Sequence, residues 1–531
     1  MQTRLGIILL LMRSRLALFL LVTGLFPVLA CSLSGAVSTD PANSDHGPSA
    51  GDLFSTAIAN PPVELPHPTS LPGEQPPSSF PPMIEATPAP TQEGSLHSGE
   101  GHYIYRVQAG DTLLAVARRF GVEPGQIASE QEMPYQALLY PGQSLLIPGT
   151  FDPGLSTGNL VPDGEIIYSP LAADFHVYEY VSQAGGYLST YSEYVDGEML
   201  SGAEIVQRVA IETSTNPRFL LAFLEHRSQW VSGQPPGPEK ERYPIGFYVP
   251  GYQGLYKELS LTAKMLLSGY YGWRSGELNH LNFTNGEQMR IFPGVNAGTA
   301  AVQYLFSTFH RRDMWAALLY GPDNFIQFYQ NMLGDPWGRD AAYGLLLPPG
   351  LVQPALELPF APGERWSFTG GPHISWITGT PRGALDFAPV TGEPACAVSR
   401  AWVTASASGQ VVRSERGVVA IDLDGDGLEQ TGWVLVYMHI AARDRIPLGV
   451  YVDVDDPIGH PSCEGGRTTG THMHIVRKYN GEWIAADGPL PFILSGWQAR
   501  QGERPYEGTL IYGEYTVSAQ PDGSSTSSII R

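Results

Sequence analysis

The sequence predicts a multidomain chain: a small βααβ module, a mainly α-helical middle domain, and a C-terminal domain built on an antiparallel β-sheet. Three observations carry this expectation. The 531 residues exceed what one hydrophobic core organises and suggest about three or four domains. Apolar residues recur at helical spacing through 160–350, then give way near Trp366 to short runs punctuated by Gly-rich turns. A proline-rich stretch without periodicity separates all of this from the amino terminus.

Composition narrows the function classes. The chain has 31 basic and 52 acidic side chains, a formal charge of −21, a balance that argues against nucleic acid as a partner. Three cysteines cannot form a disulfide framework. Only 16% of residues are charged, while 60 Gly and 46 Pro point to loops, turns and an unstructured segment.

At the amino terminus, Arg13 and Arg15 precede the uncharged run Leu16–Ala30. That run falls short of the ~20 residues needed to span a bilayer and reads as the core of a signal peptide, residues 1–30. Val28-Leu29-Ala30-Cys31 resembles the lipobox of bacterial lipoproteins, which implies cleavage before Cys31 and lipidation of its thiol. A plain signal peptide with a chance cysteine is the alternative. Residues 32–100 hold 13 prolines, eight acidic residues and no Lys or Arg, so 31–100 reads as a disordered Pro-rich tether.

Order is expected from 101 to 150. Tyr103–Gln108 alternates as a strand, Gly110-Asp111-Thr112 forms a turn and helix cap, and Leu113, Val116, Ala117 and Phe120 recur at helical spacing. A second short helix, the turn Pro141-Gly142-Gln143 and the strand Ser144–Ile147 complete the unit. The two ends, Tyr105–Leu113 and Pro141–Pro148, resemble a LysM module. The resemblance implies a βααβ fold and binding of N-acetylglucosamine-containing glycans, chiefly peptidoglycan, with Gly110, Asp111 and Thr112 at the binding edge. The chain departs from the family in the middle, where Ser129-Glu130-Gln131-Glu132 replaces the usual Asn, and a ligand-free spacer is the other reading.

In the middle domain, 160–350, Ala203–Ile211 and Pro217–Trp230 read as helices, with Asn216-Pro217 as a start signal. Residues 216–230 faintly resemble the lysozyme-like fold of lytic transglycosylases, in degenerate form. Where that family has a catalytic Glu before Ser, this chain has Arg227 before Ser228, and Glu225 lies on another face of the helix. Plain helical packing is the alternative.

The chemistry concentrates in 355–510, ahead of an expected tail at 511–531. In Gly470-Thr471-His472-Met473-His474-Ile475-Val476, strand alternation puts His472 and His474 on one face. The same rule puts Tyr437 and His439 on one face of the strand that starts at Trp433. Gly370-Gly371-Pro372-His373 reads as the start of a loop that ends in the strand Ala384–Ala388, which carries Asp386. Singly each residue is an ordinary polar group; two imidazoles on one strand face suit a metal ligand beside an acid/base group.

Taken in order, Trp366–His373, Leu385-Asp386-Phe387, Tyr437-Met438-His439 and Cys463–His474 resemble the LytM/lysostaphin-type zinc metalloendopeptidases, and most of all the staphylolysin and β-lytic branch. The resemblance covers about 366–490. It implies one zinc ion per chain held by His373, Asp386 and His474 with a fourth position open, and His439 and His472 as the proton-transfer and oxyanion-stabilising residues. It also supports a disulfide between Cys396 and Cys463, for which two buried thiols are the alternative. The implied function is a zinc-dependent peptidoglycan endopeptidase, secreted, lipid-anchored to the cell membrane and facing the cell wall. A catalytically silent wall-binding regulator of other hydrolases is the alternative. Asp422, Asp424 and Asp426, followed by Gly427, resemble the first half of a calcium loop, but no Glu stands at the twelfth position, and a polar hairpin tip is the competing reading.

Overall fold

The computed structural model describes residues 101–151 and 158–531. The expected signal peptide, Cys31 and the tether lie outside the described residues. Among the described residues, no helix is long and apolar enough to cross a membrane.

In the N-terminal module, strand β1 (His102–Arg106) pairs antiparallel with β2 (Ser144–Pro148), and helix α1 (Leu113–Phe120) packs on them. The α1 boundaries follow from capping: Thr112 accepts a hydrogen bond from the Ala115 amide at 3.1 Å, and Gly121 ends the helix in the left-handed conformation. The second helix is reduced to a 3-10 turn at Pro124–Gln126. Local bonds compete with helix formation beyond it: Ser129 Oγ takes the Gln131 amide, and the Gln143 side chain donates to Ser129 Oγ and to the carbonyls of Gln131 and Glu132.

The middle domain is built on helices α2 (Gly202–Thr213), α3 (Pro217–Ser228), α4 (Leu255–Arg274) and α5 (Ala297–Ser307), with shorter helices following. Ser201 and Glu204 form a reciprocal capping box on α2. Asn216 caps α3, with Pro217 in the first helical position where its missing N–H costs nothing. Phe219 through Leu224 are all buried, so α3 runs through the centre of the core rather than along its surface.

The C-terminal domain centres on a nine-stranded antiparallel sheet. Its principal strands are β3 (Arg365–Ile374), β4 (Arg382–Pro389), β5 (Gly409–Glu415), β6 (Val418–Asp422), β7 (Trp433–Met438) and β8 (Met473–Tyr479), in spatial order β5-β6-β7-β8-β4-β3. The central strands read as continuous apolar runs because both faces are covered. Leu385, Phe387, Val419, Ile421, Leu435, Tyr437 and Ile475 enter the domain's own core. Ala384, Val418, Ala420, Val434, Val436 and Val476, on the opposite face, join the core of the helical domain. The hairpin after β8 adds polar anchors between the two domains. Trp483 Nε1 donates to the Thr213 carbonyl at 3.0 Å, and Glu482 pairs with Arg274 of α4 at 3.3 Å.

Two expectations are corrected here. Gly370–His373 belongs to β3 rather than to a loop: bulges let a Gly-rich segment pair with β4, and the connecting loop is 375–381. The segment 511–531 is not a tail. It contributes to a four-stranded sheet, and Ser528–Ile530 closes the edge of the main sheet against Arg365–Ser367, with Ile529 buried. So few apolar residues in a Ser/Gly-rich stretch leave no periodicity to read.

Candidate metal centre

Strand register assembles the centre. His474 and Asp386 are direct cross-strand partners on β8 and β4, and Gly370 of β3 lies opposite Asp386 on its other side. A Cβ at Gly370 would collide with the Asp386 carboxylate, so the glycine makes the room that the acid occupies. His373, three residues further along the bulged strand, reaches the same point.

The three expected ligands converge. His373 Nε2 and His474 Nδ1 are 3.1 Å apart, and each lies 3.3 Å from Asp386 Oδ1. Zinc bonds of ~2.0–2.1 Å at tetrahedral angles would hold ligand atoms ~3.3 Å apart, so this triangle has the dimensions of one face of a zinc tetrahedron. The outer nitrogens fix the tautomers. His373 Nδ1 bonds the Gly371 carbonyl at 2.9 Å and His474 Nε2 the Ser375 carbonyl at 3.2 Å. Carbonyls only accept, so both outer nitrogens carry the proton and both inner ones present lone pairs. Asp386 Oδ1 is buried without a hydrogen-bond partner. Three acceptor atoms facing one another with no donor between them are the chemistry of a cation site.

His472 and His439 sit beside this triangle, with ring centroids 4.5 Å apart; His472 Nε2 is 3.8 Å from Asp386 Oδ1. Their outer nitrogens are also pinned to carbonyls, His472 Nδ1 to Gly470 and His439 Nδ1 to Glu464, each at 2.8 Å. One sequence expectation fails: Tyr437 and His439 do not share a face. Tyr437 points into the domain core and accepts the Ser406 amide at 2.8 Å, whereas His439 has φ +63° and is turned back toward His472. The left-handed backbone at the strand end breaks the alternation.

Burial lowers His439 to about 3, assisted by His472 and His474, so its imidazole is neutral at neutral pH.

Sequence reasoning missed the parts that orient these groups. The carbonyls of Gly371, Ser375, Glu464 and Gly470 carry no side-chain signature. Tyr506, which stacks on His373 with centroids 4.1 Å apart, comes from a distant hairpin. Cys396 and Cys463 are bridged, tying the 463–472 loop to the 394–399 segment, and Thr471 Oγ1 donates to the Ala397 carbonyl.

Other candidates lie elsewhere. Asp422, Asp424 and Asp426 do cluster, but Asp422 accepts the Asp424 and Gly427 amides while Asp426 accepts the Leu428 amide and the Thr431 hydroxyl. The loop consumes these carboxylate oxygens itself, and a polar hairpin tip describes it; nothing supports calcium. Glu225 caps the turn after α3, accepting the Val231 and Ser232 amides at 2.6 and 3.1 Å. In the N-terminal module, Asp111 is buried, takes the Tyr105 hydroxyl and Gln108 amide and pairs with Arg119; Thr112 caps α1; Gly110 faces Arg274 and Leu347.

Two family models match parts of this chain. Residues 105–148 match the family described as LysM domain, and residues 159–345 match LasA, N-terminal domain. The latter match was not read from the helical pattern. The chain is 26% identical over 302 residues to protease LasA of Pseudomonas aeruginosa (strain UCBPP-PA14), covering 52% of this chain and 65% of that protein. It is 30% identical over 151 residues to β-lytic metalloendopeptidase of Achromobacter lyticus, covering 27% of this chain and 37% of that protein. The chain therefore spans less than two thirds of the length of these relatives. Among solved structures, the M23 metalloprotease pseudoalterin from the deep sea is 21% identical with a TM-score of 0.27, over 32% of this chain and 96% of that one. The catalytic domain of lysostaphin from Staphylococcus simulans is 22% identical with a TM-score of 0.17, over 23% and 89%.

Proposed function

We propose that this chain is a zinc-dependent endopeptidase that hydrolyses peptide bonds in the stem or cross-bridge of peptidoglycan. The observation that carries the proposal is the triangle of His373, Asp386 and His474, with its orphaned carboxylate oxygen and inward lone pairs. Similarity to LasA and the β-lytic endopeptidases, and a LysM domain in the same chain, support the choice of substrate. Lipid attachment at Cys31 would hold the enzyme at the membrane, facing the wall.

His373, Asp386 and His474 would hold a zinc ion, which would supply Lewis-acid chemistry at the scissile bond. The residues of the chain do the rest. His472 and His439 each keep the proton on Nδ1 by donating it to a carbonyl, which leaves Nε2 free to accept a proton and then release it to a leaving amine. The neutral state of His439 leaves its Nε2 lone pair available as a hydrogen-bond acceptor at neutral pH. Burial of the ligands excludes bulk water and strengthens these interactions.

The test is release of new amino groups from purified peptidoglycan by the full chain, with and without chelator and with zinc restored. Release that follows zinc supports the peptidase. A second reading, a silent regulator, is favoured by one feature: the helical domain covers the sheet face on which His474 and Asp386 sit, and Trp376 and Ile377 of the 375–381 loop pack into it. No release despite one bound zinc per chain would support that reading instead.

A further inference from the structure

The glycan edge expected from the LysM resemblance is partly covered in this structure, with Gly110 and Thr112 half-buried. Arg274 of α4 donates to the Ala109 carbonyl, and a Cβ at Gly110 would strike the Arg274 guanidinium and lie 2.9 Å from Leu347 Cδ1. Leu347 itself is buried against Ile484 and Leu490 of the C-terminal domain, and Leu138 of the module packs on the same cluster. Three further side-chain bonds to carbonyls hold the docked position: Gln108 to Gly294 at 3.0 Å, Arg118 to Ser275 at 3.2 Å, and Arg290 to Arg119 at 2.9 Å. Gly276 lies so close to α1 that a Cβ there would come within 2.8 Å of the Ala115 carbonyl.

Gly110 lacks a side chain, so a ligand can approach the backbone of this edge closely; here Arg274 and Leu347 use that approach. We propose that N-acetylglucosamine-containing glycan and the segment around Leu347 compete for the Gly110–Thr112 edge, so that the module takes up glycan only by leaving the helical domain. The proposal rests on the glycan-binding reading of the module. Undocking leaves Arg274 with other partners, since Asp163, Glu482 and the Tyr270 hydroxyl all remain within hydrogen-bonding or ion-pair distance. The module can therefore separate without stranding a buried charge. A population that is mostly docked binds with an apparent affinity reduced by the fraction of molecules that are open. Leu347 touches both the module and the C-terminal domain, so engagement of the wall at one end is coupled to the packing around the peptidase at the other.

The test measures binding of a soluble β-1,4-linked N-acetylglucosamine oligomer to the full chain and to Leu347→Ala/Arg118→Ala, with amide hydrogen exchange on both. A second variant, Arg118→Ala/Arg290→Ala, loosens the module while leaving Leu347 and its contacts to Ile484 and Leu490 intact. We expect affinity to rise about ten-fold or more in the loosened variants. Saturating oligomer should also speed exchange at Trp273–Gly276 in the unaltered chain. Equal affinity in all three, without faster exchange at Trp273–Gly276, would overturn the competition while leaving glycan binding intact. No binding by any of them would remove the glycan reading on which the proposal rests.

Discussion

Gly370→Ala tests whether the metal centre depends on an empty space rather than on its ligands alone. The glycine is not in the left-handed region, so alanine costs nothing in backbone strain and the effect is steric. An added Cβ would stand 2.9 Å from Asp386 Cγ and 3.0 Å from Asp386 Cβ, with the carboxylate Oδ2 closer still. Ordinary carbon contacts are ~3.5–4.0 Å, so the aspartate or its strand must move by about half an ångström. Zinc sites tolerate about 0.2 Å of error in bond length. The displacement therefore exceeds what the centre absorbs, and we expect zinc affinity to fall about 10- to 100-fold, or ~1.4–2.7 kcal/mol. Chelator competition would measure this, with near-ultraviolet circular dichroism to confirm the fold. A folded Gly370→Ala protein that binds zinc as tightly as the unaltered chain would refute the argument that strand β3 sets the ligand geometry.

Ligands and proton carriers should separate on substitution. His474→Ala is expected to lose both zinc and hydrolysis, whereas His472→Ala should keep the metal and lose ~10²–10⁴-fold in turnover; equal metal loss in both would contradict the assignment. The Cys396–Cys463 bridge closes a separation of 67 residues, so the Cys396→Ser/Cys463→Ser variant should lose up to ~4 kcal/mol of stability by chain entropy, measured by urea unfolding. Because the bridge anchors the loop that carries His472 and the Glu464 carbonyl, turnover should fall before zinc content does. His226 and His310 in the helical domain are each lowered to about 4, first by burial and then by Arg227. The unfolded chain thus binds more protons between about pH 6.5 and 4, and stability should fall as pH drops through that window. His226→Phe should shrink the drop in melting temperature from pH 7 to pH 5; an unchanged drop would show that other groups control it.

The order of the site residues, and the shared face of His472 and His474, were legible because strand alternation is a local property of the backbone. The cap at Asn216-Pro217 was legible for the same reason, and the first helix cap was narrowed to Asp111 or Thr112, since a cap is made by neighbours in sequence. Local rules failed where the backbone departs from them. His439 leaves the strand pattern through its left-handed φ, and Gly370–His373 pairs through bulges that a Gly-rich segment does not announce. The closing strand Ser528–Ile530 depends on a single buried isoleucine.

Local patterning along the chain specified its parts: a LysM-like module, a helical middle, and a strand-rich domain carrying His373, Asp386, His439, His472 and His474. Their convergence was decided by tertiary structure alone. Cross-strand register set His474 opposite Asp386, and backbone carbonyls chose which nitrogen of each imidazole faces the centre. Docking placed Leu347 against Gly110 across more than two hundred residues of chain and set the helical domain against the sheet. Periodicity and capping act between neighbours and leave a signature in a short window. Register and docking are set by shape and hydrogen bonding between distant segments, whose free energy appears only once the chain has brought them together.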